Sequence, residues 1–301
     1  MAFLFESFED WNKYCKNDPG KLVDSVVAYE VKENGATKNA VWEGVAANYH
    51  VMKEAVNAGF TDDMTSRSGM INNGAKKVKA TDKTVLSKEF QDLVARALSA
   101  KELNACMGRV VAAPTAGASG ILPGVLFTLQ ELHNLSDKKM HEALLVAAGI
   151  ALIIENKSSL AGAVGGCQAE TGSAAAMAAG AIVYCLEGSV DEIFNAVAIT
   201  IQCMLGLICD PVAGLVEVPC VVRNASAAAI ANSSAQIAIA GVDSVIPVDE
   251  SVEAMGEVGE SIENRYKETA LGGLAVTTTG QKIAKRVLIH DIDILPDEKA
   301  K

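Results

Sequence analysis

Three stretches of this chain, Asp137 to Ile154, Ser173 to Leu186 and Val190 to Leu207, are apolar along most of their length, and a fourth, Arg223 to Ile239, is rich in alanine. The alternation that marks a half-buried strand is scarce throughout. Segments of this kind are stable as helices covered by other helices. Composition indicates how they pack: 50% of residues are hydrophobic but only 5% are aromatic. Such an interior is filled by close contacts through alanine and glycine, not by the large rings of an aromatic-rich sandwich. The expected fold class is therefore all-α, a bundle-like single domain over residues 1–301, with 1–60 as a helical layer and 291–301 as a tail.

Further helices are expected outside this centre. Lys21 to Lys32 is amphipathic. Asn39 to Ala58 is longer, with Gly59 as its stop signal. Ser87 to Met107 has Ser87 as a candidate N-cap and places Phe90, Leu93, Val94, Ala97 and Leu98 on one face. Gly120 to Leu132 follows a glycine-rich turn, and Val252 to Lys267 is more polar and belongs outside. The valines at 26–27 and 242–248 are read as loops or helix ends, and the acidic stretch after His290 as a fraying tail.

The net charge of -11 carries no long basic run, which argues against a nucleic-acid groove or an anionic membrane surface. The first twenty residues lack the basic start and apolar core of a signal peptide, and the longest apolar stretch is too short to span a bilayer. Seven cysteines is an odd count, without disulfide-framework spacing. The expectation is a cytoplasmic protein with reduced thiols.

Three of those cysteines stand apart. Cys167 lies in GAVGGCQAETG, Cys209 in LGLICDPVAG and Cys220 in LVEVPCVVRNA. Each has glycine or proline close by, in non-periodic sequence where backbone can approach a bound object. Taken singly, each is a small apolar filler. Taken together, three thiolates fall one short of a closed zinc site or a fully cysteine-held iron–sulfur cube. An open fourth position is what Lewis-acid catalysis on a small substrate needs.

APTAGASGILPG, GCQAETG, CDPVAGLVEVPC, VVRNA and YKETALGGLAV, in this order within a span from about Ser66 to Thr279, resemble the alpha chain of the bacterial iron–sulfur L-serine dehydratases. The block around Cys209 and Cys220 is the most specific. The resemblance implies a helical catalytic domain with cluster-binding loops. It implies a [4Fe–4S] cluster held by Cys167, Cys209 and Cys220, with one iron left to polarise the β-hydroxyl of L-serine on the way to pyruvate and ammonia. Such a cluster acts as an acid and not as an electron carrier. No lysine followed by a glycine-rich phosphate loop suggests pyridoxal phosphate instead.

Candidate substrate contacts come from three places. Thr115, Gly117, Ser119 and Gly120 offer hydroxyls and backbone N–H groups at a helix start, which suits an anion and equally suits a plain capped turn. Ser66, Ser68 and Lys76 match part of a family pattern whose threonine and Gly-Gly-Asp are replaced here; a helix-capping loop is the other reading. Arg223 and Asn224 follow Cys220 and either orient a thiolate or the substrate carboxylate, or pair structurally, Arg223 with an acid such as Glu217. Asp210 and Glu170 neighbour cysteines and are read as helix caps or as supports of the site.

No general base is evident. His50, His133, His141 and His290 lie outside the family blocks, with His133 and His141 expected on the surface. Single-chain relatives carry a histidine motif in a separate domain, so the resemblance implies a partner beta chain that completes the active site. Two alternatives stay open: an L-cysteine desulfidase of the same superfamily, and a structural subunit whose thiols bind a cluster or zinc without catalysis.

Overall fold

The computed structural model describes residues 5–83, 85 and 87–292. Helix starts follow local chemistry. α1 (Phe8–Cys15) begins where the Ser7 hydroxyl accepts the Asp10 N–H at 3.0 Å. α2 (Gly20–Glu33) leads into α3 (Lys38–Thr61), capped by Thr37. α4 (Gly74–Ala80) precedes α5 (Lys88–Ala105), capped by Ser87 as the sequence predicts. α6 (Ile121–His133) and α7 (Asp137–Lys157) are joined by a short turn, with Ser136 capping α7. The single turn α8 (Gly162–Gly165) precedes α9 (Ser173–Cys185). Ser189 and Glu192 close a capping box on α10 (Val190–Met204). α11 (Cys220–Ile239), α12 (Val248–Ser261) and α13 (Thr278–Ile292) complete the order. Among the described residues β-pairing is limited to two isolated bridges, Thr65 with Asn72 and Cys209 with Lys267. The fold is all-α, as expected.

Every residue of α9 is buried, and the helix packs against α6, α7, α10 and α11. Small residues permit this. A Cβ at Gly180 would run into Ile150 of α7, and one at Gly124 of α6 would lie 2.8 Å from the Ala97 Cα of α5. The N-terminal layer belongs to the same apolar cluster, which extends from Phe5 to Met255. Trp11 is buried and donates its indole N–H to Ser25 Oγ at 2.8 Å, while Phe8 meets Phe194 of α10 edge-on at 5.1 Å. The Asp249 carboxylate accepts the N–H groups of Phe8 and Glu9, tying α1 to α12.

Some boundaries differ from expectation. Gly59 does not stop α3; it lies inside the helix, where its N–H donates to Ser99 Oγ at 2.7 Å and the missing side chain admits α5. The helix expected from Arg223 begins earlier, at Cys220. The helix expected over Val252 to Lys267 runs from Val248 to Ser261, and the one expected to reach Leu207 ends at Met204, ahead of the left-handed Gly206. Val26 and Val27 are buried inside α2 rather than at its end. α1, α4 and α13 are too short or too polar to have stood out. α13 reaches Ile292, and the rest of the expected tail lies outside the described residues. No helix among the described residues is long and apolar enough to cross a membrane.

Candidate functional site

Three loops deliver three thiols to one place. Cys167 follows α8 and opens a π-turn, Gln168–Gly172, that runs into α9. Gln168 pins this segment: its side-chain N–H donates to Met255 O at 2.8 Å, and its Oε1 accepts the Gly206 N–H at 2.8 Å. Cys209 lies in the turn after α10, where its N–H donates to Tyr266 O at 2.8 Å and its carbonyl accepts the Glu268 N–H at 3.0 Å. Cys220 is the first residue of α11, directly after a cis Val218–Pro219 bond.

All three are buried. Burial raises the Cys220 thiol to about 12, with the charge of Cys167 adding to it and Lys101 opposing it. Burial raises Cys209 further still, reinforced by the charges of Cys167, Glu268 and Cys220. Cys167 is also raised by burial, against which the Thr171 hydroxyl, 2.8 Å from its sulfur, and Arg223 act. Cys15 and Cys185 are buried and raised as well, but no other thiol contributes to either shift. Convergence, not burial, therefore separates the three singled out in the sequence. Among the described residues no three His, Cys, Asp or Glu side chains are spaced to grip a single metal ion.

Acids crowd this centre. Glu170 Oε1 accepts the Thr115 hydroxyl, and its carboxylate fills the space a side chain at Gly117 would need. A Cβ at Gly162 would sit 3.5 Å from both Cys209 Sγ and Glu170 Oε2, and 3.7 Å from Glu268 Oε2. Glycine thus keeps open the place where a thiol and two carboxylates face each other. Burial, then the charge of Glu170, raises the Glu268 carboxyl above its usual range. Opposite stands Lys101 of α5, fully buried, whose ammonium donates to Asn104 Oδ1 and, at 3.5 Å, to Ala116 O. Burial lowers its pKa, and the charges of Cys220, Glu170 and Glu217 oppose that shift.

The sequence candidates fall into distinct places. Ser66 and Ser68 both donate to Glu217 Oε2, at 2.6 and 2.5 Å. Ser119 is buried and its hydroxyl has no hydrogen-bond partner among the described residues. Gly120 is not a free donor: its N–H is taken by Asn224 Oδ1 at 2.9 Å. Asn224 in turn donates to Gly117 O and Cys220 O at 2.8 and 2.9 Å, clamping the cysteine helix onto the 115–120 loop. Arg223 pairs with Asp210 at 2.9 Å, not with Glu217, and donates to Ile208 O at 2.9 Å. The other Asp210 oxygen accepts the Leu274 N–H at 2.8 Å, at the start of the short 3-10 turn Gly273–Val276. Lys76 is not brought in, since its ammonium donates to Thr61 O at the end of α3.

Lys101 and Glu268 escaped the sequence reading, and Glu170 and Glu217 were underrated. For Lys101 a signal existed: it lies four residues after Ala97, on the apolar face of α5. Glu217 is recognisable only through serines about 150 residues away. Of the histidines, His50 pairs with Glu54 and His133 is exposed. His141 is not a surface residue as expected: its ring meets Tyr49 edge-on at 4.9 Å and its Nε2 is buried.

Comparison with known proteins shows the family to which the chain belongs. The family model described as serine dehydratase alpha chain matches residues 19–275. A probable L-serine dehydratase alpha chain of Bacillus subtilis (strain 168) is 39% identical over 287 residues, 94% of this chain and 95% of that protein. The L-serine dehydratase alpha chain of Peptoniphilus asaccharolyticus is 42% identical over 277 residues, 91% of this chain and 95% of that one. An L-serine dehydratase of Streptomyces coelicolor is 38% identical over 247 residues, 79% of this chain but only 54% of that longer protein.

Proposed function

We propose that this chain, which belongs to the serine dehydratase alpha-chain family, is the catalytic alpha subunit of an iron–sulfur L-serine dehydratase. The observation that carries the reading is the convergence of Cys167, Cys209 and Cys220 from three separate loops. The donor set fits a [4Fe–4S] cluster. Three buried thiols would supply one ligand to each of three corners. Bound there, the cluster would supply a Lewis acid for the departure of hydroxide, a poor leaving group at neutral pH.

The chain's own residues hold and align. Arg223 and Asp210 fix the turn carrying Cys209, and Asn224 fixes Cys220 against the 115–120 loop. The free Ser119 hydroxyl is a donor for the substrate carboxylate, and Glu170, beside all three thiols, is an acceptor for its ammonium. Loss of the α-proton and the β-hydroxyl from serine gives 2-aminoacrylate and water. Tautomerisation to the imine and hydrolysis then give pyruvate and ammonia.

The group that takes the α-proton is assigned to a beta chain. Two relatives are named alpha chains, and the Streptomyces protein has length beyond the matched part for a second functional unit. Free thiols suit the cytoplasm. The test is pyruvate formation from L-serine by the anaerobically reconstituted chain, with and without its beta chain, beside sulfide release from L-cysteine. Serine-dependent pyruvate only with the partner is expected. Sulfide release without serine turnover, or robust turnover by this chain alone, would contradict the reading.

A further inference from the structure

We propose that Lys101 is the cation that receives the substrate carboxylate. The inference rests on the dehydratase reading and adds to it a residue from α5, outside the family blocks. Lys101 is 0% exposed, yet no carboxylate lies within ion-pair distance of its ammonium among the described residues. Its bonds go to neutral acceptors, Asn104 Oδ1 and Ala116 O. A buried charge without a counter-ion is costly, and an anion arriving beside it repays that cost.

The direction of the side chain says which anion. Lys101 Cβ lies under Gly120, where a glycine side chain would meet it at 3.2 Å, and Nζ reaches Ala116 O. The stem therefore runs along the underside of the 116–120 loop. That loop also holds the buried Ser119 hydroxyl, which has no hydrogen-bond partner among the described residues. An ammonium without a counter-ion and an unpartnered hydroxyl on the same loop are what a carboxylate needs. Lys101 and Arg223 both act on Cys220, Lys101 the more, while of the two only Arg223 acts on Cys167. Glu170, whose charge acts on Lys101 and on all three thiols, completes a zwitterion site: cation for carboxylate, carboxylate for ammonium.

The experiment compares wild type with Lys101→Met in the reconstituted alpha–beta complex. Iron content and the thermal midpoint without serine report on assembly; KM, kcat and the serine-induced rise in midpoint report on binding. The methionine fills the same volume without charge, so assembly should be retained or improved. We expect KM to rise at least about 30-fold, the loss of one charge-assisted contact, with the serine-induced rise in midpoint lost and kcat within about threefold. Unchanged KM and unchanged midpoint shift would overturn the proposal, as would loss of iron with serine binding intact, the behaviour of a cation serving only the thiols. If the methionine variant fails to assemble, Lys101→Gln carries the same comparison. A wild-type complex that binds serine through Lys101 but forms no pyruvate would sustain this inference and sink the dehydratase reading. Pyruvate formation with unchanged KM in the variant would do the reverse.

Discussion

Asp210 sits under the turn that carries Cys209 and holds it from two sides. One oxygen pairs with Arg223, the other accepts the Leu274 N–H, and a Cβ added at Gly273, whose φ is +60°, would run into the Asp210 side chain. At 3% exposed, the carboxylate cannot be replaced by water if it is removed. Asp210→Ala should cost about 3 kcal/mol, because it leaves a largely buried guanidinium unpaired and a backbone donor unmet. Urea unfolding of the cluster-free chain measures this, and a loss under about 0.5 kcal/mol would show the clasp to be idle. Residues of this kind mark how far the site could be read in advance. The cysteines were legible because glycine and proline punctuate their loops. Asp210 was visible only as a neighbour of Cys209, since its partners Arg223 and Leu274 come from α11 and the 265–276 segment.

Between elements, glycine decides spacing, and the same substitution should act with opposite sign at two positions. In α6, Gly124→Ala would press a methyl onto Ala97 Cα at 2.8 Å and should destabilise by about 1–3 kcal/mol. In α3, Gly44 is exposed with nothing within 4 Å of its missing Cβ, so Gly44→Ala should stabilise by about 0.5–1 kcal/mol. Thermal or denaturant unfolding of both variants checks the pair; equal signs would contradict the packing. A third prediction concerns α4, whose first N–H groups, of Gly74 and Ala75, are accepted by the buried Glu102 of α5. Burial holds the Glu102 carboxyl above its usual value despite those bonds. The folded chain then binds the proton more tightly than the unfolded chain, so stability from this group falls as pH rises upward from about 4.5. The stability difference between wild type and Glu102→Gln should therefore shrink over that window, and a difference independent of pH would contradict it. The sequence showed most helices because their apolar periodicity is local. It misplaced the role of Gly59, because only the packing of α3 on Ser99 reveals why that glycine is there.

At the scale of the molecule, the buried α9 separates Cys167 from the cysteines that follow α10, and its packing fixes the loops at its start. The cysteine-bearing loops thus gather at one place on a helical core, while the N-terminal layer closes that core through Trp11 and Phe8. An acidic chain of net charge -11 that also gathers Glu170 and Glu268 around its thiols needs compensating positive charge in the site. The central claim is that Cys167, Cys209 and Cys220 together hold a [4Fe–4S] cluster. Its most direct test is iron and acid-labile sulfide per chain after anaerobic reconstitution, for the wild type, for each of these cysteines changed to serine, and for Cys185→Ser as a buried control. The account predicts about four irons and about four sulfides in the wild type and the control, lost in each of the three site variants. Equal iron in the site variants and the control, or about one metal per chain without sulfide, would contradict it.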